Sequence, residues 1–107
     1  MLMEKKNEFL IALDKPFNFE GKEYKEIDLS GLENLTTEDL CDVQQAYTAF
    51  APARSAVMSI PEVDVEYACL LAAKVAKQPI EFFKKLPAKD GRKIKMAIME
   101  YFLKDGE

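Results

Sequence analysis

The stretch that decides the fold runs from Pro16 to Val43 and reads PFNFEGKEYKEIDLSGLENLTTEDLCDV. Its first half alternates apolar and polar residues around Glu20-Gly21. This is the pattern of a β-hairpin in which glycine supplies the positive φ of a two-residue turn. From Thr36, a good helix N-cap, the apolar residues recur at helical spacing. The change of period predicts an N-terminal hairpin over residues 9–29, followed by helices.

The register of the predicted hairpin follows from its turn. A two-residue turn places Phe17 opposite Tyr24 and Lys15 opposite Glu26, and both are favourable cross-strand pairs. The apolar residues after Glu26 have the opposite parity, so this register cannot continue along the whole hairpin. We therefore predict a β-bulge beside Pro16, because proline cannot donate to the ladder.

The rest of the chain carries helical patterns separated by prolines. One helix is predicted to begin at Thr37, a second at Pro61, a short third after Pro79, and the last near Pro87 or Asp90, with Asp90 as its cap. The fold class is therefore α+β and mostly helical, a hairpin followed by a compact bundle of three to four helices over residues 36–104. We expect a single domain over residues 1–107. The predicted core includes Leu40, Tyr47, Leu71, Ile94, Ile98 and Phe102.

Charge is distributed unevenly along the chain, which has a net charge of −4 and a pI of about 5.0. The segment from residue 18 to 42 sums to −6, whereas the segment from residue 74 to 104 sums to +6. Two solvated faces that happen to differ would explain this pattern. Equally, the acidic end of one copy can meet the basic end of another, since complementary fields steer association.

The amino-acid composition argues against several functional classes. The chain has no histidine, its two cysteines, Cys41 and Cys69, lack CxxC spacing, and its four glycines are isolated. We therefore predict no enzyme, no cofactor and no metal site. The acids of the first helix, Glu38, Asp39 and Asp42, are explained by the helix dipole. An acidic chain whose apolar runs are short predicts neither nucleic-acid binding nor a membrane span, and reduced thiols fit a cytoplasm.

The order of the motifs resembles one family. The sequence LDKPFNFEGKEYKEIDL is followed by LTTEDL, an Ala/Leu-rich helix, and KQPIEFFKKLPAKDGRKIKMAIMEYFL. This order is similar to that of the small tail assembly chaperones of long-tailed bacteriophages and prophages. The positions that carry the resemblance are Leu13, Pro16, Phe17, Phe19, Gly21, Asp39, Pro79, Leu86, Asp90, Phe102 and Leu103.

The resemblance implies a non-enzymatic role in tail morphogenesis. Such a chaperone binds the tape measure protein, keeps it soluble, and helps to recruit tail tube subunits in the bacterial host cytoplasm; it is absent from the mature virion. Together with the charge pattern, the resemblance predicts a homo-oligomer that associates through its hairpin. The predicted partner-binding residues are Phe17, Phe19, Tyr24, Glu23, Glu26, Asp28, Lys84, Lys85 and Arg92.

Two other classes share parts of this pattern. A small phage or bacterial adaptor or regulatory protein would have the same helical core, without a need to self-associate. A helical DNA-binding domain would need the basic run of residues 84–95 exposed on a helix that enters a groove, and its binding would depend on salt.

Overall fold

A computed structural model describes residues 9–58, 60 and 64–104. An antiparallel two-stranded hairpin precedes five α-helices in this part of the chain, so the predicted α+β, mostly helical fold is confirmed. Two of the helices are short, which is why their number exceeds the predicted three to four. The elements are β1 (Leu10–Phe19), β2 (Lys22–Asp28), a 3-10 helix (Ser30–Asn34), α1 (Thr37–Phe50), α2 (Pro52–Val57), α3 (Val65–Ala76), α4 (Ile80–Lys84) and α5 (Ala88–Lys104).

The hairpin turn is the predicted one, with φ of 51° at Glu20 and 80° at Gly21. Phe17 lies opposite Tyr24, as predicted. The predicted pair of Lys15 with Glu26 is wrong, because Glu26 lies opposite Ala12. The pairing is interrupted between Ala12 and Phe17, where four residues of β1 lie opposite a single residue of β2. The predicted bulge beside Pro16 therefore exists, and it is larger than a single extra residue.

Helix α1 begins as the sequence predicts. The Thr36 hydroxyl accepts a hydrogen bond from the Asp39 amide at 3.2 Å, and the Asp39 carboxylate accepts one from the Thr36 amide at 3.0 Å. This reciprocal capping box satisfies two otherwise unpaired amides. The bond from the Thr36 amide holds the pKa of Asp39 below its ordinary value.

Helix α3 is the central element and packs against α1, α4 and α5. The described part of this helix begins at Val65 after the cap residue Asp64, and the predicted start at Pro61 lies outside the described residues. Of the predicted core residues, Tyr47, Leu71, Ile94 and Ile98 are fully buried, whereas Leu40 and Phe102 are only partly buried.

Asp90 does not cap the last helix, and this prediction is wrong. Helix α5 begins at Ala88, and the Gly91 amide donates to the Pro87 carbonyl at 2.9 Å. Asp90 therefore lies inside the first turn, where it is 1% exposed. Its carboxylate accepts a hydrogen bond from the Asp14 amide at 3.2 Å, which ties α5 to β1 instead.

Two glycines give a matched pair of stability predictions. A Cβ at Gly31 would lie 3.0 Å from Val75 Cγ1 and 3.1 Å from the Val75 carbonyl oxygen, so Gly31→Ala should destabilise the fold by about 1–3 kcal/mol. A Cβ at Gly91 in α5 would meet nothing within 4 Å, so Gly91→Ala should stabilise it by about 0.5–1 kcal/mol. Urea unfolding of both variants measures the difference. A Gly31→Ala protein as stable as wild type would contradict the close packing of the 3-10 helix on α3.

Candidate interaction surfaces

The apolar face of the hairpin packs on helix α4 of the same chain. Phe82 is 1% exposed, and the rings of Phe17, Phe19 and Tyr24 meet it edge to face at centroid distances of 5.3, 5.3 and 4.9 Å. Edge-to-face contacts of this kind add to the energy of burial. The three aromatic residues predicted to bind a partner thus hold the hairpin to the helices, and each remains partly exposed.

The three predicted acids lie exposed along β2. The Asp28 carboxylate accepts a hydrogen bond from the Ser30 amide at 2.9 Å. Within the part of the chain that the structure describes, Glu23, Glu26 and Asp28 make no ion pair. We call these three residues the acidic edge.

The three predicted basic residues lie in different surroundings. Lys84 forms an ion pair with Glu66, and its ammonium lies 5.2 Å from the centre of the Phe50 ring. Lys85 lines a small cleft beside the hairpin turn, next to Glu20 of the same chain. Arg92 is exposed on α5 and has no ion-pair partner among residues 9–58, 60 and 64–104. The structure therefore does not bring the three cations into one surface.

A carboxylate pair and a lysine join β1 to α5. Lys93 Nζ lies 2.9 Å from the Asp14 carboxylate and 3.5 Å from that of Asp90, and it donates to the Ala12 carbonyl at 2.8 Å. The hydrogen bond from Lys93 holds the pKa of Asp14 below its ordinary value, and the same bond raises the pKa of Lys93. Lys89 also lies 3.5 Å from Asp14 but is 81% exposed.

The outer edge of β1 carries backbone groups that do not pair with β2. The Leu29 amide donates to the Phe9 carbonyl at 2.7 Å, which marks these two residues as a hydrogen-bonded pair. Bonded and non-bonded pairs alternate in an antiparallel ladder, so the amides and carbonyls of Leu10 and Ala12 face away from β2. The bond from Lys93 to the Ala12 carbonyl agrees with this direction.

An open groove of about 890 Å³ separates this edge of β1 from α5. Met96 and Leu103 are 53% and 48% exposed in it, and Met99 lies between them. Lys89 and Arg92 stand at one end of the groove. We call it the β1–α5 groove. The sequence prediction missed it, although the i, i+3, i+7 spacing of the three apolar residues was a signal of a second stripe on α5.

A second group of exposed apolar side chains lies on α2 and at the ends of the helices next to it. Its four large apolar side chains lie where α1 ends, on α2, and around the start of α3, and their exposed fractions range from 47% to 80%. We call this surface the α2 patch; its residues are Phe50, Val57, Ile60 and Val65. Phe50 follows Val43 and Tyr47 at helical spacing along α1, yet it is 54% exposed whereas those two residues are buried.

A polar network fixes α2 beside the start of α3. Arg54 donates to Asp64 at 2.8 Å and to Glu66 at 2.9 Å, and the Tyr47 hydroxyl donates to Asp64 at 2.7 Å. Burial tends to raise the pKa of Asp64, but the bonds from Tyr47 and Arg54 outweigh it and lower the pKa. The bond from Lys84 lowers the pKa of Glu66. The network thus holds the α2 patch in a defined position.

The described residues hold no cluster of three or more His, Cys, Asp or Glu side chains that could bind a metal ion. Asp39 and Asp42, at the start of α1, both lie near Lys74 Nζ, at 3.6 and 3.5 Å. Burial raises the pKa of the Cys69 thiol, which makes it a poor nucleophile. None of the described helices is long and apolar enough to cross a membrane.

Comparison with models of known protein families gives a match over most of the chain. A family model described as phage tail assembly chaperone proteins, E, or 41 or 14, matches residues 10–102. The matched range begins in β1 and ends in α5, so it includes the hairpin, the α2 patch and the β1–α5 groove apart from Leu103. No curated protein and no solved structure matches the chain.

Proposed function

Because the chain belongs to the family of phage tail assembly chaperones, we propose that it binds the tape measure protein of its phage or prophage before the tail tube exists. Copies of this protein that are bound to the tape measure protein keep it soluble and help to recruit the tail tube subunits. This role is non-enzymatic, because the chain binds the tape measure protein and catalyses no reaction on it. It takes place in the bacterial host cytoplasm, and the chaperone leaves before the virion is complete.

The observation that carries this proposal is the α2 patch. Val57 is 80% exposed, and Phe50 and Val65 are exposed by half or more, although the core of the same protein is well packed. Exposed apolar side chains that lie close together are a common mark of a protein-interaction site. A long amphipathic helix has a continuous apolar stripe that such a patch can cover.

The chemistry around the α2 patch suits a helical client. Arg54, Asp64 and Glu66 bond to one another, so they hold the patch without needing a partner to neutralise them. Binding then buries apolar side chains while few new charges lose water, and this favours association.

Equilibrium binding of purified helical segments of the tape measure protein tests this proposal. Val57→Lys places a charge in the patch, and it suits the C-terminal end of α2, where the helix dipole favours a cation. We expect this substitution to weaken binding by about tenfold or more, which corresponds to about 1.4 kcal/mol. Calorimetric titration of wild type and variant measures the change.

Met96→Lys is the matched control, because Met96 is also half exposed but lies in the β1–α5 groove. It should bind a short helical segment of the client as wild type does, because one copy is enough to cover such a segment. If Met96→Lys abolished binding while Val57→Lys left it unchanged, the client site would be the groove and the assignment of the α2 patch would be wrong.

A further inference from the structure

We propose that the β1–α5 groove binds the acidic edge of a second copy of this chain, so that copies associate head to tail. The inference goes beyond the proposed function, since a client can be bound by single copies. It identifies the two surfaces through which the self-association predicted from the charge pattern would take place. It keeps Arg92 and the three acids among the predicted partner-binding residues, and adds Lys89.

The backbone at both surfaces is suited to pairing. Leu10 lies opposite Asp28 and Ala12 opposite Glu26 in non-bonded pairs, so the amides and carbonyls of all four residues face away from the hairpin. Lys93 binds the Ala12 carbonyl, and no described residue outside the hairpin bonds to the backbone groups of Leu10. A second copy in the same orientation brings its β2 antiparallel to β1 and continues the sheet. Such strand addition is a common mode of recognition.

The distribution of charge favours the pairing of a groove with an acidic edge over the pairing of two identical surfaces. Arg92 is exposed without an ion-pair partner in the described part of the chain, and Lys89 is 81% exposed. The acidic edge presents three carboxylates that are likewise without an ion pair within that part. The groove is lined by Lys89, Arg92 and Lys93 against Glu100, and β2 carries its three acids against Lys22 and Lys25. Two grooves would therefore bring net positive charge together and two β2 strands net negative charge, so the attractive combination is one groove with one acidic edge.

The floor of the groove supplies the apolar part of the contact. Met96 and Leu103 are about half exposed, and Met99 lies between them. Methionine side chains adapt to irregular surfaces, and the alkyl stems of the long charged side chains on β2 can cover them. Because the contact joins two different surfaces, it leaves one groove and one acidic edge free at the ends and extends to a ring or a filament.

A mixing experiment with two blocked variants tests the proposal. Leu10→Pro removes an outward amide from the groove, and Glu26→Pro removes one from the acidic edge. Proline is tolerated on an edge strand at such positions, since no ladder bond is lost. Sedimentation velocity of wild type should show oligomers, whereas each variant alone should be a monomer. An equimolar mixture should form a one-to-one heterodimer and stop there, because each partner retains one usable surface.

Circular dichroism shows whether each proline variant is folded. If one is not, Arg92→Glu replaces Leu10→Pro as the groove variant, because Arg92 is exposed and makes no ion pair with any residue that the structure describes. Glu26→Lys likewise replaces Glu26→Pro; where both charge variants are used, their mixture should form longer oligomers instead of stopping at the heterodimer, because the two changed surfaces attract each other. The proposal is overturned if wild type is monomeric, if either folded variant alone forms a dimer, or if the mixture contains no heterodimer. No client is present in the assay, so these outcomes are independent of tape measure binding.

Discussion

Replacing Phe82 with alanine is expected to lower the free energy of unfolding by about 3–5 kcal/mol. Phe82 is 1% exposed, and four aromatic rings, those of Phe17, Phe19, Tyr24 and Phe83, pack against it. A two-stranded hairpin is marginally stable alone, so it depends on this contact to stay on the helices. Urea unfolding followed by circular dichroism measures the loss.

Phe50→Ala is the matched control for Phe82→Ala. Phe50 is 54% exposed, and the Lys84 ammonium lies 5.2 Å from the centre of its ring, so loss of the ring should cost about 1 kcal/mol or less. Equal losses in the two variants would mean that α4 does not anchor the hairpin.

Leu71→Ala should cost about 2–5 kcal/mol, because the side chain is fully buried in the central helix α3 and its removal leaves a cavity. The spread reflects how far α1 and α5 can close around the cavity. Leu103→Ala is the matched control: Leu103 is 48% exposed in the β1–α5 groove, and the change should stay near 0.5 kcal/mol. A Leu71→Ala protein that unfolds at the wild-type urea concentration would contradict the placement of α3 at the centre.

Features set by neighbouring residues could be predicted from the sequence. The Glu20-Gly21 turn, the Thr36 capping box and the pair of Phe17 with Tyr24 all depend on residues no more than seven positions apart. The buried stripe of α5 follows from the 3.6-residue period, as Ile94 and Ile98 confirm.

Features that join distant segments could not be predicted in the same way. The bond between the Asp14 amide and Asp90 spans 76 positions, and no local pattern distinguishes this acid from a helix cap. The pairing of Glu26 with Ala12 depends on how many residues the bulge in β1 takes up. Lys84 and Lys85 are adjacent in sequence but point to different surfaces, so a run of charges did not define one site.

Co-expression with the tape measure protein tests the central claim, that this chain is a chaperone for that client, most directly. The measurement is the soluble fraction of the tape measure protein in a bacterial host, with and without this chain. We expect the client to be soluble with wild type, largely insoluble without it, and poorly soluble with Val57→Lys. A tape measure protein that is equally soluble whether or not the chain is present would contradict the claim.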